Sequence, residues 1–400
     1  MRKSIICAIA LLLVAAGVSA AAEEGKYATD IEVGAQQTGE YIPLVKGKKV
    51  CLLSNQSGIV PSGKHDLDIL IENGIDVVLI MTPEHGFRGA EDARETLDDA
   101  VDPGTGVPIC SLYDKRGLPI AFDQELMNKF DVLVFDLQDV GVRFYTYYVT
   151  MKRMMQACAE YGRKMIVLDR PNPIGFMVDG PKLDMKYKSA AAALPIPVAH
   201  GMTLGELAGM INGEKWLDDG VQCDITVIKC RNYTHASRYK LPVKPSPNIP
   251  DMRSVYLYPS MCYFEATAVS VGRGTDWAFQ MYGHPNMKGY DFEFTPRSTP
   301  SAHHPIQMDK VCCGVDLRTE PSEEEILANG VNLEYVIDAY NNLNLGDHFF
   351  RSAFEILMGQ GYVRKMIEAG ATAAEIKACW AQDVEDFKRE RRPYLLYPEN

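Results

Sequence analysis

"DVLVFDLQDVGVRFYTY", Asp131 to Tyr147, opens with four apolar residues between two aspartates and then turns abruptly polar. A strand with one wet face alternates apolar and polar residues. A continuous apolar run is instead buried on both faces, as in a parallel sheet covered by helices on either side. Runs of the same kind recur as "KVCLLS" (49–54), "DVVLIM" (76–81), "PICSLY" (108–113), "KMIVLD" (164–169), "IPVAH" (196–200) and "DITVIK" (224–229). Helical patterns fall between them. Leu67, Leu70 and Ile71 share a face that ends at Gly74, placed as a C-cap, and Thr203 and Glu206 have the capping-box spacing of a helix running through Met210. The expected fold is α/β, a Rossmann-like, mainly parallel sheet flanked by helices over residues 45–240. The proline-rich "LPVKPSPNIPDM" (241–252) breaks the alternation and reads as a connector. Beyond it, a strand-like "KVCCGVDL" and helical patterns near 333–343 and 373–390 predict a smaller α+β domain over 253–400.

The first residues, "MRKSIICAIALLLVAAGVSA", have a basic start, an apolar core and small residues at Val18 and Ala20, the pattern of a secretory signal peptide over 1–20. Cys7 lies inside that apolar core, so no lipoprotein cysteine follows it, and no later stretch reaches the ~20 apolar residues of a membrane span. An exported, periplasmic protein is expected. Removing residues 1–20 takes away Arg2 and Lys3, so the formal charge moves from −12 to −14. Nucleic acid is therefore not an expected partner, because binding it needs a basic footprint. Nine cysteines follow residue 20, an odd number, several of them in apolar runs where cysteine acts as a small buried hydrophobe. No CxxC pair exists to support a structural zinc site.

Ligands of open parallel sheets bind beyond the carboxyl ends of the strands, so the residues after each apolar run belong to one composite surface. Ser54, Asn55 and Gln56 follow the first run, and "TPEHGFRG" (82–89) supplies Glu84, His85 and Arg88 after the second. Asp136, Gln138, Asp139, Arg143 and Tyr145 follow "DVLVF"; Asp169, Arg170 and Asn172 follow "MIVL"; His200 ends "IPVAH". Five loops thus bring carboxylates, amides, histidines and aromatics to one edge, which predicts a polar cleft.

Hydrolysis of a glycosidic bond requires a carboxylic acid protonated near neutral pH and a second group acting as nucleophile, base or stabiliser. Glu84, Asp136 and Asp139 are available for these tasks, although Asp136 at a strand end also suits a purely structural role, and Asp169 suits a loop-shaping ion pair with Arg170. The second domain adds "YPSMCYFEATAVSVGRGTDWAFQ", with Glu265, Arg273, Asp276 and Trp277. An arginine and an indole beside a carboxylate suit an anionic sugar; alternatively Trp277 is core and Arg273 pairs with Asp276. Glu84, His85, Asp136, Asp139 and His200 are also plausible metal ligands, but no HExxH or similarly strict spacing supports a metal. Neither "GTG" (104–106) nor "GRGTD" (272–276) makes a phosphate cradle, and no GxSxG or SxxK motif points to an acyl-serine enzyme.

Taken together, "LLSNQSGI", "TPEHGFRG", "DVLVFDLQDVGVRFYTY", "VLDRPNPIG", "IPVAHGMTLGELA", "SPNIP", "YPSMCYFEATAVSVGRGTD" and "RRPYLLYPEN" resemble, in this order, the family of NamZ-like exo-β-N-acetylmuramidases. The resemblance spans roughly residues 45–400. It implies a Rossmann-like domain with a smaller C-terminal domain, an active site in the cleft between them, no cofactor, and a peptidoglycan-derived saccharide as substrate. The implied activity is exo-acting hydrolysis that releases terminal β-1,4-linked N-acetylmuramic acid from the non-reducing end. The glutamate of the family's "PEHG" motif falls on Glu84, the expected general acid, with Asp139 and Glu265 as further catalytic candidates. The expected substrate-binding set is Asn55, His85, Arg88, Gln138, Arg143, Tyr145, Arg170, Asn172, His200, Arg273 and Asp276, with no metal ligand. The sequence departs from the family pattern at Ala199, where an arginine is common before "HGMT", and at Ala266 in "FEAT" where "FEGT" is usual. Arg143, Arg170 and Arg273 are candidates to replace the missing arginine as partners of the lactyl carboxylate. A non-catalytic periplasmic glycan-binding protein and a metal-dependent peptidoglycan amidase are the competing readings.

Overall fold

The computed structural model describes residues 26–83, 87, 100–114 and 118–400. Residues 1–25, including the expected signal peptide, and Glu84, His85 and Arg88 lie outside the described residues. Six of the apolar runs form one sheet: β1 (Lys49–Ser54), β2 (Asp76–Thr82), β3 (Ile109–Ser111), β4 (Val132–Asp136), β5 (Lys164–Leu168) and β6 (Ile225–Ile228). All neighbours are parallel, in the order β3-β2-β1-β4-β5-β6. Register alternation sends successive residues to opposite faces. Cys51, Leu53, Leu133, Phe135, Met165 and Val167 enter one core, while Val50, Leu52, Val132, Val134, Ile166 and Leu168 enter the other. Both faces are dry, which is why the strands read as unbroken apolar runs.

The crossovers follow the local signals. Helix α1 (Thr38–Val45) precedes β1, and α2 (Asp66–Glu72) joins β1 to β2 and ends before Gly74 at φ 72°. The short α3 (Gln124–Met127) precedes β4; α4 (Tyr147–Glu160) joins β4 to β5; α5 (Leu204–Gly213) joins β5 to β6. Thr203 and Glu206 form the expected capping box at the start of α5.

The seventh run, "IPVAH", is not a strand of the sheet. Pro195 and Pro197 lack the N–H groups a ladder needs, and the segment makes only an isolated bridge at Ala199, which pairs with both Val142 and Asp179. Its carbonyls serve the loop after β4 instead, Val198 accepting from the Arg143 N–H at 2.7 Å and Ile196 from the Arg143 side chain.

The smaller domain begins with α6 (Met252–Met261), capped by Asp251, whose carboxylate accepts from Ser254 N. It contains an antiparallel sheet of β7 (Met281–His284), β9 (Cys312–Asp316) and β8 (Phe292–Phe294) in that order, followed by short helices. One apolar core runs without interruption from Leu133 and Phe135 of the parallel sheet to Phe354, Trp380 and Phe387. The chain end then returns to the first domain. Tyr397 donates to Asp169 at 2.6 Å, Leu396 N to Glu206 at 2.8 Å, and Pro398 O accepts from His235 N. The nine cysteines of the described residues are free thiols. Among the described residues no helix is long and apolar enough to cross a membrane.

Candidate active site

Chain order reverses between β1 and β4, so the crevice of this sheet opens where Ser54 and Asp136, a register pair, end their strands. The floor of that crevice is a buried polar network. Asp136 takes a two-point ion pair from Arg170, whose Nη2 lies 2.9 Å from Oδ2. Ser54 Oγ donates to Asp66 at 2.6 Å, and the His65 ring joins through Nδ1 beside Asp66 and Nε2 donating to Asn55 O. Burial pulls the His65 imidazole down, and the Asp66 carboxylate more than offsets it, so His65 stays protonated above its ordinary range. Removing one partner from a buried ion pair such as Asp136–Arg170 typically costs ~3–5 kcal/mol. The pair therefore corrects two expectations: Arg170 belongs to Asp136, not to Asp169, and its donors are spent on Asp136 and Ile59 O instead of substrate. Asp169 accepts from Thr203, Gly205 N and Tyr397, tying β5, α5 and the chain end together.

The network also meets the described residues on either side of Glu84. Pro83 and Phe87, which bracket it in sequence, are both buried, and the Phe87 ring packs edge-on against His65 at 4.8 Å.

Above this floor the loops converge. Asn55 receives Ser57 N and Oγ on Oδ1 and donates to Tyr147 Oη at 2.7 Å; Ser57 Oγ in turn accepts from Gln138 N. Gln138 reaches Pro171 O at 2.8 Å, and its own Oε1 has no partner among the described residues. Gly141, at φ 79°, brings the β4 loop against Asn172 so closely that a Cβ would lie 2.3 Å from Oδ1. Asn172 itself is committed to Met202 O and Ile174 N. His200 N donates to Gly141 O, which sets the histidine beside the same loop.

Asp139 is the carboxylate this arrangement isolates. Oδ1 accepts from Gly141 N at 2.7 Å, whereas Oδ2 is buried with no partner among the described residues. Burial raises its pKa to about 7, against the lowering effect of the Gly141 and Val140 N–H groups. His200 is the complementary case. Burial first, and the Arg391 charge second, lower it to about 3, so the ring is neutral. Nδ1 accepts from Met202 N, which puts the proton on Nε2, a buried donor without a partner among the described residues.

Arg143 is corrected by the structure. Fully buried, it donates through Nη1 to Pro181 O and Ile196 O and through Nη2 to Leu357 O and Met358 O, pinning the two domains together. It has no group left to offer a lactyl carboxylate from either terminal nitrogen.

The second domain meets the expected site residue Tyr145 through Tyr258, which motif reading had not singled out. Tyr145 donates to Pro245 O and packs edge-on against Tyr258 of α6 at 6.4 Å. The Asp139 charge acts on Tyr145, and the Glu265 and Arg273 charges act on Tyr258. Arg273 Nη1 donates to Glu265, not to Asp276, and Nη2 points at Ser301 O, which also accepts from Asn248 of the "SPNIP" motif at 2.9 Å. Asp276 is exposed and Trp277 is 43% exposed, so the indole is not core. Among the described residues no three His, Cys, Asp or Glu side chains gather around a metal-sized position. A cavity of about 260 Å³ lies at the opposite, amino edge of the sheet, lined by Lys48, Asp131, Lys164 and Asp224, away from these groups.

Residues 50–253 match the family described as exo-β-N-acetylmuramidase NamZ, N-terminal, and residues 256–397 match its C-terminal counterpart. The chain belongs to the NamZ family. It is 36% identical over 380 residues to the peptidoglycan β-N-acetylmuramidase NamZ of Bacillus subtilis (strain 168), covering 90% of this chain and 89% of that protein. Two solved DUF1343 family proteins of Bacteroides fragilis NCTC 9343 share the NamZ fold seen here. One is 56% identical with a TM-score of 0.86, covering 93% of this chain and 100% of its own; the other is 28% identical at 0.76, covering 92% and 99%.

Proposed function

We propose that the protein is an exo-acting glycosidase that releases terminal β-1,4-linked N-acetylmuramic acid from the non-reducing end of peptidoglycan fragments. The observation that carries this reading is Asp139, a carboxyl at the carboxyl edge of the sheet with one buried oxygen unpartnered among the described residues and a pKa near 7. A group so poised is a stronger base than an ordinary carboxylate and is still substantially ionised at neutral pH. Glu84 supplies the proton to the departing oxygen, and ionised Asp139 takes the proton of, or orients, the attacking group. His200 Nε2–H donates to the bound sugar. Incubation with a MurNAc-GlcNAc disaccharide, with and without EDTA, tests the reading: free N-acetylmuramic acid in both arms supports it, and its absence removes it.

Within this reading Arg273 meets the lactyl carboxylate, since Ala199 stands where an arginine is common in the resembled pattern and both Arg143 and Arg170 are spent elsewhere. Glu265 holds the guanidinium in place. Arg273→Ala is expected to raise KM for N-acetylmuramic substrates about 10- to 100-fold, the worth of a charge-assisted hydrogen bond, and to spare N-acetylglucosamine analogues. Equal effects on both sugars would take Arg273 out of that role.

Residues 1–20 support export to the periplasm, where released N-acetylmuramic acid enters cell-wall recycling. N-terminal sequencing of exported protein is expected to begin at Ala21; material still carrying Arg2 would overturn it.

A further inference from the structure

The turn that places Arg273 on Glu265 also carries Trp277, four residues on, into a different environment. The turn is tight. Thr275 donates to Gly272 O through N at 3.1 Å and Oγ1 at 2.7 Å, and Trp277 N donates to Thr275 Oγ1 at 3.1 Å. Four residues span at most ~14 Å, so the backbones of Arg273 and Trp277 stay within that distance. Trp277 lines a cavity of about 410 Å³ that neither Arg273 nor Glu265 borders.

Packing does not account for an indole left 43% exposed in a concave wall, because covering it would be favourable. Arg318, held in an ion pair by Asp316 at 2.8 and 2.7 Å, lies 5.7 Å from the Trp277 ring centroid. Lys26, paired with Glu323 at 3.8 Å and Glu324 at 3.7 Å, also lines the cavity, together with Lys240 and Arg253. Lys240 has the Tyr27 ring at 6.0 Å and no carboxylate partner among the described residues. The lining carboxylates are Asp251 and Glu323, and Asp251 is spent on Ser254 N and Gln280. A chain of formal charge −12 thus presents an aromatic hollow in which Lys240 and Arg253 have no carboxylate partner among the described residues. An aromatic plate suits the apolar face of a pyranose ring, and a local positive field attracts carboxylates. A glycan whose sugars carry acidic substituents has both.

We propose that this cavity is a second saccharide-binding site, which holds the part of the peptidoglycan strand on the reducing-end side of the scissile bond. The assignment rests on the exo-muramidase reading above. A strand whose terminal sugar is gripped at Arg273 passes along the Gly272–Trp277 turn and lays later sugars on the indole.

The test compares MurNAc-GlcNAc disaccharide with a tetrasaccharide of the same repeat, in wild type, Trp277→Ala and Trp277→Phe. In wild type the tetrasaccharide has the higher kcat/KM. In Trp277→Ala the tetrasaccharide-to-disaccharide ratio falls about tenfold, through KM, and Trp277→Phe restores most of it. Lys240→Ala lowers the ratio in the same direction, with an effect that fades at high salt. Equal losses on both substrates, or no chain-length preference in wild type, overturn the second site. Calorimetric binding of the tetrasaccharide separates the two readings. Trp277-dependent binding without turnover leaves the cavity standing and removes the glycosidase, whereas turnover with Trp277-independent binding removes the cavity alone.

Discussion

Glu84→Gln is expected to slow release of N-acetylmuramic acid from a natural disaccharide by roughly 10²–10⁴ while sparing a nitrophenyl glycoside. Glutamine keeps the shape and the hydrogen bonding of glutamate and cannot give up a proton. A sugar leaving group needs that proton; nitrophenolate departs almost without it. The ratio between the two substrates therefore identifies an acid more sharply than either rate alone. Thermal melting of the variant is expected to match wild type within the shift of a surface change, ~0.5 kcal/mol. A folded variant equally slow on both substrates would make Glu84 a nucleophile or a positioning group. Near-full activity on both would reduce "PEHG" to a polar turn.

Asp139→Asn is expected to cost a comparable ~10²–10⁴, but on both substrates, because a group that activates the attack is needed whatever leaves. The pH profile adds a second reading. Asp139 ionises at about 7, so wild-type turnover of the nitrophenyl glycoside rises with pH through that value, and the variant loses the rising limb. A falling limb there would instead make Asp139 a proton donor. Stability follows the same group with its own sign. The folded-state pKa lies above the unfolded value of ~3.9, so folded protein binds the extra proton between about pH 4 and 7. The contribution of Asp139 is whole below pH 4 and declines as pH rises to 7. Melting temperatures across that window should therefore slope less steeply in Asp139→Asn than in wild type.

The sheet was readable because burial on both faces turns each strand into a short unbroken apolar run, and helical patterns alternate with those runs. "IPVAH" is also such a run and is not a strand, since apolar content reports burial while the prolines at 195 and 197 decide hydrogen bonding. Strand ends likewise located the polar residues, and Asp139, His200, Gln138 and Asn172 do gather around the β4 loop. What each arginine does was not readable. Arg143, Arg170 and Arg273 look equivalent in sequence, and only the fold reveals that the first faces four carbonyls, the second a carboxylate beneath the crevice, and the third Glu265. Tyr258 and Asn248 were missed for a related reason: their part depends on which segment of the other domain they meet, and local patterns hold no trace of that.

The contact of Tyr397 with Asp169 joins the stability of the two domains. Asp169 follows β5 in the first domain, yet one of its three donors is Tyr397, 228 residues later in the sequence. Removing that hydroxyl leaves a buried carboxylate one donor short, a loss that typically costs ~1–3 kcal/mol. Damage to the second domain is therefore felt in the parallel sheet of the first, and the two halves are expected to melt as one unit.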